Sequence, residues 1–92
     1  MKLEHLAYLC KITPGLSLNA QSKNIHISQQ GLSAAIKCLE TEMGCALLLR
    51  TGKGVYFTEA GEKLVGCTKA YLEQLRQIRA EQNPLTGELF LP

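Results

Sequence analysis

Tryptophan is absent from this 92-residue chain, and only five residues are Phe or Tyr. Any core must therefore rest on Leu, Ile, Val and Ala, which points toward helices. Long apolar runs are missing too: no stretch approaches the roughly 20 residues that cross a bilayer. The opening Met1-Lys2-Leu3-Glu4-His5 is charged and lacks the apolar run of a secretion signal, so no membrane partner and a cytoplasmic address are expected. The cysteines Cys10, Cys38, Cys45 and Cys67 include no C-x-x-C pair, which argues against a disulfide scaffold and a zinc site. They are expected to stay reduced and to pack as small apolar groups. The alternative is a redox switch, since Cys38 and Cys45 fall on and just past the helix described below as the third. His5 and His26 are far apart with no obvious carboxylate or cysteine partner. No nucleophile–base pair, phosphate-cradling glycine loop or ligand cluster is visible, so no catalytic residue, metal or cofactor is expected.

What is present is enough for one small domain and an appendage. Apolar residues make up 46% of the chain, so a modest core forms and wholesale disorder is excluded. A domain this small often needs a partner or a staple. The net charge is only +2, but residues 1–58 carry six Lys/Arg against three Glu, whereas residues 59–92 carry four against five. The basic excess lies on the first part, where an anionic partner would be met.

Leu3, Leu6, Ala7, Leu9 and Cys10 recur at helical spacing, and Pro14-Gly15 ends that pattern, predicting a first helix over about 3–12. Ser17 is a suitable N-cap for a second helix over about 18–24, ended by Asn24. Ile25 and Ile27 are expected to plug the core from the turn. Ser28 is the next N-cap, the stripe Leu32, Ala35, Ile36, Leu39 and Met43 faces inward, and Gly44 stops the third helix. Leu47-Leu48-Leu49-Arg50 and Val55-Tyr56-Phe57-Thr58 flank Thr51-Gly52-Lys53-Gly54, which reads as a β-hairpin with a cationic tip. Thr58 caps a long helix, with Glu59 and Glu62 near its positive end. It is expected to run to about residue 83, roughly 40 Å, where Pro84 breaks it. Residues 84–92 read as a hinge and the start of a strand, at about 87–91, with nothing to pair with.

Helix, helix, tight turn, helix, hairpin, helix is the layout of a mainly α winged helix-turn-helix followed by a long linker helix. In that layout the third helix enters the DNA major groove by its N-terminal residues. Its outer face carries Gln29, Gln30, Ser33, Ala34, Lys37 and Thr41. Gln can make two hydrogen bonds to an adenine edge, Ser serves base or phosphate, and the short side chains permit close approach. Ser17 and Asn19 suit phosphate contact at the start of the second helix, and Arg50 and Lys53 suit the flanking backbone or minor groove. On pattern alone, a polar helix face is more often merely solvated, and a Gly-rich hairpin tip is more often a plain turn. The stripe Leu64, Thr68, Tyr71, Leu75 and Ile78, with Val65 and Leu72 beside it, reads as buried. Its pattern leaves open whether it packs on its own domain or on a second copy. A protein-interaction module built on the long helix therefore stands beside the DNA reading.

An ordered set of short motifs decides between them. Ser17-Leu18-Asn19, Ile25-His26-Ile27-Ser28-Gln29, Leu32-Ser33, Ile36-Lys37, Leu39-Glu40, Met43-Gly44, Leu47-Leu48, Arg50, Phe57-Thr58 and Ala60-Gly61 with Leu64 resemble, in order and spacing, the N-terminal domain of LysR-type transcriptional regulators. The resemblance runs over about residues 3–80. It implies a winged helix-turn-helix over 1–58, a dimerisation helix over 59–83, and a hinge over 84–92 leading to an effector-binding domain that lies outside this sequence. By the same resemblance, Ser17, Asn19, Ser28, Gln29, Gln30, Ser33, Ala34, Lys37, Arg50 and Lys53 are the candidate DNA contacts. Leu64, Thr68, Tyr71, Leu72, Leu75 and Ile78 are the candidate dimer contacts. The implied partners are double-stranded DNA carrying an interrupted palindrome, a second copy paired antiparallel through the long helix, a tetramer in the longer protein, and a small effector bound only by the absent domain. Four departures bear on affinity and specificity. Gln21-Ser22 replaces a frequent Ala-Ala pair, Gln30-Gly31 replaces Pro-Ala, Ala34-Ala35 replaces longer polar residues, and Leu48 replaces Phe. Gly31 is expected to loosen its turn by up to about 1 kcal/mol relative to Ala.

Overall fold

The computed structural model describes the backbone of residues 1–90 and the side chains of residues 1–81. Among these residues the elements run α1 (Leu3–Cys10), α2 (Leu18–Ile25), α3 (Gln29–Met43), β1 (Leu48–Thr51), β2 (Gly54–Phe57) and α4 (Glu59–Phe90). The expected winged helix-turn-helix with its long C-terminal helix is what the chain adopts.

The helix ends follow from local chemistry. The Ser17 hydroxyl accepts the Ala20 N–H at 3.1 Å, and the Ser28 hydroxyl accepts the Gly31 N–H at 3.0 Å. Each satisfies an amide that the first helical turn leaves unpaired. The Thr58 hydroxyl does the same for Gly61 at 3.0 Å while donating to the Ala46 carbonyl at 2.7 Å. Gly44 closes α3 in the left-handed region at φ 74°. α2 ends one residue later than the expected Asn24: His26 occupies the left-handed C-cap at φ 64°, a conformation that costs a non-glycine residue about 1–2 kcal/mol.

Leu9, Ile12, Leu32, Ile36, Leu39, Leu47, Leu48 and Val55 form one buried cluster, with Leu18, Ile25, Ile27, Phe57, Leu64 and Val65 packed around it. Each fully buried Leu or Ile contributes about 1.5–3 kcal/mol. α1 packs on α3 and α4, and α2 packs on α3. Three expectations change here. Ile12 belongs to the core, but α1 stops at Cys10. Met43, assigned to the inward stripe, is 42% exposed: it sits in the last turn of α3 on an open hollow shared with Ala60, Lys63, Leu64 and Cys67 of α4. The long helix does not stop near residue 83: the backbone stays helical through Pro84 to Phe90. Residues 87–90, expected to begin a strand, continue α4 instead. Leu91 and Pro92 lie outside the described residues.

β1 and β2 pair antiparallel, with Leu48 opposite Phe57, Leu49 opposite Tyr56, Arg50 opposite Val55 and Thr51 opposite Gly54. A lone two-stranded hairpin is marginal in water, and this one borrows hydrogen bonds. The Gly15 N–H donates to the Val55 carbonyl, and the Val55 N–H donates to the Leu16 carbonyl, both at 2.9 Å. The loop between α1 and α2 thus acts as a third rail. The close approach needs Gly54, at φ 118°, because a Cβ there would lie 2.5 Å from the Gly15 carbonyl. Gly61 is constrained in the same way by the Leu47 carbonyl oxygen, on which the first turn of α4 rests.

Gly54→Ala is expected to lower stability by about 3 kcal/mol, or on the order of 15 °C in Tm. Gly52→Ala, whose added Cβ meets nothing within 4 Å, should leave Tm nearly unchanged in the same thermal melt. Equal Tm values for the two variants would refute the docking of the hairpin on the loop.

Candidate nucleic-acid interface

α2 and α3 meet through the tight turn His26-Ile27-Ser28, whose isoleucine packs on the core. This presents the N-termini of both helices on one side. Ser17, Asn19, Ser28, Gln29, Gln30, Ala34 and Lys37 are exposed there, and Ser33 is half-buried. The hydroxyls of Ser17 and Ser28 are engaged as caps, so their local role is to order the helix starts. Ala35 belongs to the buried side at 4% exposure, so of the Ala34-Ala35 pair only Ala34 faces outward. A Cβ at Gly31 would lie 3.0 Å from Ser28 Oγ and 3.1 Å from Ile27 Cγ1, so the glycine leaves room at the cap that an alanine would crowd.

The hairpin brings Arg50 to the same side. Its Nη2 donates to Ser33 Oγ at 3.1 Å. Together with Leu18, Gln29 and Gln30 these two line an open cleft of about 320 Å³. Lys53 stands apart at the tip, where the Thr51 hydroxyl accepts its N–H at 3.1 Å and donates to the Gly54 carbonyl at 2.9 Å. Among the described residues, none of Lys37, Arg50 and Lys53 forms an ion pair with a carboxylate. One uncompensated cation, Arg50, therefore lines a cleft of amide and hydroxyl groups, with two more on the outer side of α3 and at the hairpin tip, which is suited to a polyanion with readable edges.

Three residues that position this face were not among the sequence-derived candidates. Leu18 walls the cleft. Gln21 is fully buried and bonds the loop three times. Its side-chain oxygen accepts the Thr13 N–H at 2.9 Å, and its amide nitrogen donates to the carbonyls of Thr13 and, at 3.2 Å, Leu16. Glu40 Oε2 accepts the Leu47 and Leu48 N–H groups at 2.7 and 3.3 Å, tying the start of β1 to α3. The only signal for Gln21 in the sequence is its departure from Ala, and the only one for Glu40 is its place in the Leu39-Glu40 motif.

The proposed dimer residues divide into two groups. Leu64 packs on the chain's own core, and Thr68, 5% exposed, is covered by its own α1 and donates to the Leu64 carbonyl at 2.8 Å. Tyr71, Leu75 and Ile78 are 52%, 41% and 56% exposed, with Leu72 half-buried beside them. Cys38, Cys45 and Cys67 are exposed free thiols, and Cys10 is half-buried. Burial pushes the Cys10 thiol above its ordinary value, against the opposing effects of Lys69 and a hydrogen bond with Thr68. Among the described residues no group of three or more His, Cys, Asp or Glu could hold a metal ion, and no helix is long and apolar enough to cross a membrane.

Two helices joined by a tight turn, the later one presenting a polar N-terminal face with a cationic hairpin beside it, define a winged helix-turn-helix DNA-binding head. Residues 3–62 match the family described as bacterial regulatory helix-turn-helix protein, lysR family. The chain belongs to that family, and it is a DNA-binding domain of the LysR type rather than an enzyme. It is 39% identical over 83 residues to the nitrogen assimilation regulatory protein nac of Klebsiella aerogenes, covering 90% of this chain and 27% of that protein. It is 32% identical over 88 residues to the Hca operon transcriptional activator HcaR of Escherichia coli K12, covering 96% of this chain and 30% of that protein. The chain thus spans under a third of the curated relatives it matches. The DNA-binding domain of BenM, solved in complex with benA site 1 DNA, superposes with a TM-score of 0.79 at 27% identity, covering 92% of this chain and 99% of that one.

Glu40→Ala strips two strand amides of their acceptor and is expected to cost about 2 kcal/mol. Thermal melts check this; a loss below about 0.5 kcal/mol would mean that water replaces the carboxylate at no cost. In native protein at neutral pH, iodoacetamide should label Cys38, Cys45 and Cys67 well before Cys10, as mass spectrometry would show; early labelling of Cys10 would contradict its packing against α4.

Proposed function

We propose that this chain is the operator-reading and pairing end of a longer transcription regulator acting in the cytoplasm. The observation that carries the reading is the convergence of Gln29, Gln30, Ser33 and Arg50 on one cleft, with Lys37 on α3 and Lys53 at the hairpin tip outside any ion pair among the described residues. Gln29 and Gln30, exposed in the first turn of α3, meet base edges in the major groove. Ser17 and Asn19, at the start of α2, face phosphates, helped by the first-turn amides. Lys37 and Lys53 grip the backbone on either side.

Tyr71, Leu72, Leu75 and Ile78 form the pairing face. Tyr71, Leu75 and Ile78 follow one another at four- and three-residue steps along α4 with Leu72 beside them, and these three are more than two-fifths exposed in the single chain. A second copy lying antiparallel covers them and sets two heads on an interrupted palindrome, as a twofold dimer requires. Leu64 and Thr68 support that face from within their own chain. Residues 84–92 lead toward the effector-binding domain, through which the longer protein senses a small molecule and assembles into tetramers.

Selection of duplexes from a random library by the purified chain should enrich an interrupted palindrome. Gln29→Ala should erase the preference at its base, whereas Lys53→Ala should weaken all duplexes about equally and flatten the log–log salt slope by about 0.9. An unchanged preferred sequence in Gln29→Ala would remove Gln29 from base reading. Leu75→Lys should yield a monomer in sedimentation at concentrations where the parent is dimeric, with the head still folded because Leu75 supports no core and with Tm lowered only by the lost pairing. A Leu75→Lys chain that still dimerises would displace the pairing face from α4.

A further inference from the structure

Sequence logic makes Ser33 a reader of bases and Arg50 a free cation of the wing. The geometry points to a different division of labour. We propose that Ser33 is a positioning residue, whose hydroxyl holds the Arg50 guanidinium beside Gln29 and Gln30 so that Arg50 grips the phosphate nearest the base-reading turn of α3. This rests on the DNA-binding reading above.

Three independent observations converge on it. The first is strand register. Arg50 lies opposite Val55, and Val55 is buried against the helices. Residues directly opposite in an antiparallel pair share a face, so Arg50 leaves the hairpin on the side of α3. Leu49 and Tyr56, the neighbouring pair, occupy the other face and are exposed. Arg50 is therefore aimed at the recognition helix and not at the flank, which is left to Lys53 at the tip.

The second is the behaviour of hydroxyls within the helices. A Ser or Thr inside a helix commonly bonds back to a carbonyl of the preceding turn. Ser22 does so with Asn19 at 2.7 Å, and Thr68 with Leu64 at 2.8 Å. Ser33 does not; its hydrogen bond runs across 17 residues of sequence to Arg50. Its oxygen accepts from the guanidinium, and its own proton remains available to an oxygen in the cleft.

The third is the composition of the cleft. Around Arg50 it holds two amides, one hydroxyl and one leucine, and no carboxylate. Arginine presents five N–H donors, and one is used by Ser33, so a fork remains for two phosphate oxygens. Holding the side chain in place before DNA arrives removes part of the ordering that a free arginine would undergo on binding.

The test is a thermodynamic cycle on DNA affinity, read by fluorescence anisotropy with a labelled random-sequence duplex over a range of salt, and repeated on a duplex enriched by selection. Arg50→Ala should weaken both duplexes and reduce the log–log salt slope by about 0.9. Ser33→Ala should weaken both about fivefold while leaving that slope unchanged, because the charge is retained but no longer held. Ser33→Thr should restore affinity to within about twofold, since the hydroxyl returns. In the Arg50→Ala background, Ser33→Ala should change nothing further. Full additivity of the two substitutions, or a shift of the selected sequence by Ser33→Ala, would overturn the proposal and return Ser33 to base reading. Failure of the unaltered chain to bind either duplex would instead overturn the DNA-binding reading on which it rests. Matching thermal melts for Ser33→Ala and the parent keep the comparison free of folding effects.

Discussion

Val55 gives its N–H to the Leu16 carbonyl and accepts the Gly15 N–H on its own carbonyl, and its side chain is buried in the core. Most of what positions the DNA-facing surface can be traced through that residue. Two four-residue strands joined by a two-residue turn cannot hold a hairpin in place on their own hydrogen bonds. The Val55 pairing docks the hairpin on the loop before α2, and Gln21 of α2 in turn holds that loop through Thr13 and Leu16. A shift of one residue in the hairpin register would move Arg50 to the outer face and put Leu49 over the recognition helix. Such a slip is blocked from both ends. Gly54 alone tolerates the contact with Gly15, and Glu40 clamps the amides at the start of β1.

The locally determined parts of this fold were legible in the sequence. Ser17, Ser28 and Thr58 read as caps because a hydroxyl needs only the amide three residues ahead, and all three make that bond. Gly44 read as a stop because a left-handed C-terminal residue is a local demand. The inward stripe of α3 read correctly at Leu32, Ala35, Ile36 and Leu39, which are buried, and failed at Met43, which α4 covers only in part. The long-range parts were not legible. Pro14-Gly15 looked like punctuation, yet Gly15 pairs with a strand 40 residues later. Gln21 looked like a poor substitute for alanine, yet a buried amide with three hydrogen bonds is a satisfied network rather than a misplaced polar group. Glu40 matched a family motif, but periodicity could not show that its partners are the amides of Leu47 and Leu48. The candidate site followed the same rule. Its residue types and order were visible, whereas the bond that joins Ser33 to Arg50 depends on a hairpin register that only the folded chain displays.

The cysteines illustrate how little composition says about reactivity. Four thiols without a paired spacing suggested small apolar groups, yet three of the four are exposed. Only Cys10, against α4 and Thr68, has the partial burial expected of a packed thiol. Cys38 shares an apolar hollow of about 440 Å³ on the outer side of α3 with Ala34, Lys37, Thr41 and Glu42. Bulk attached there would stand beside Lys37, one turn from the base-facing residues. The redox alternative is thereby confined to the three exposed thiols.

The long helix sets the remaining constraint. Up to Thr68 it belongs to the head: Gly61 rests on Leu47, Leu64 and Val65 touch the core, and Thr68 lies under α1. Beyond that point the chain offers α4 no partner among the described residues, and apolar side chains at Tyr71, Leu75 and Ile78 face water. Isolated helical segments of this length are marginal in water, and the local ion pair of Glu73 with Arg76 contributes little on an exposed surface. A second copy laid antiparallel would cover the stripe and stabilise the free half of the helix together. Because the first half of the same helix is fixed to the hairpin through Leu47, that pairing would also fix the distance between two recognition helices. The spacing of half-sites on DNA would then be set by the rigid attachment at Gly61 rather than by any contact to the bases between them.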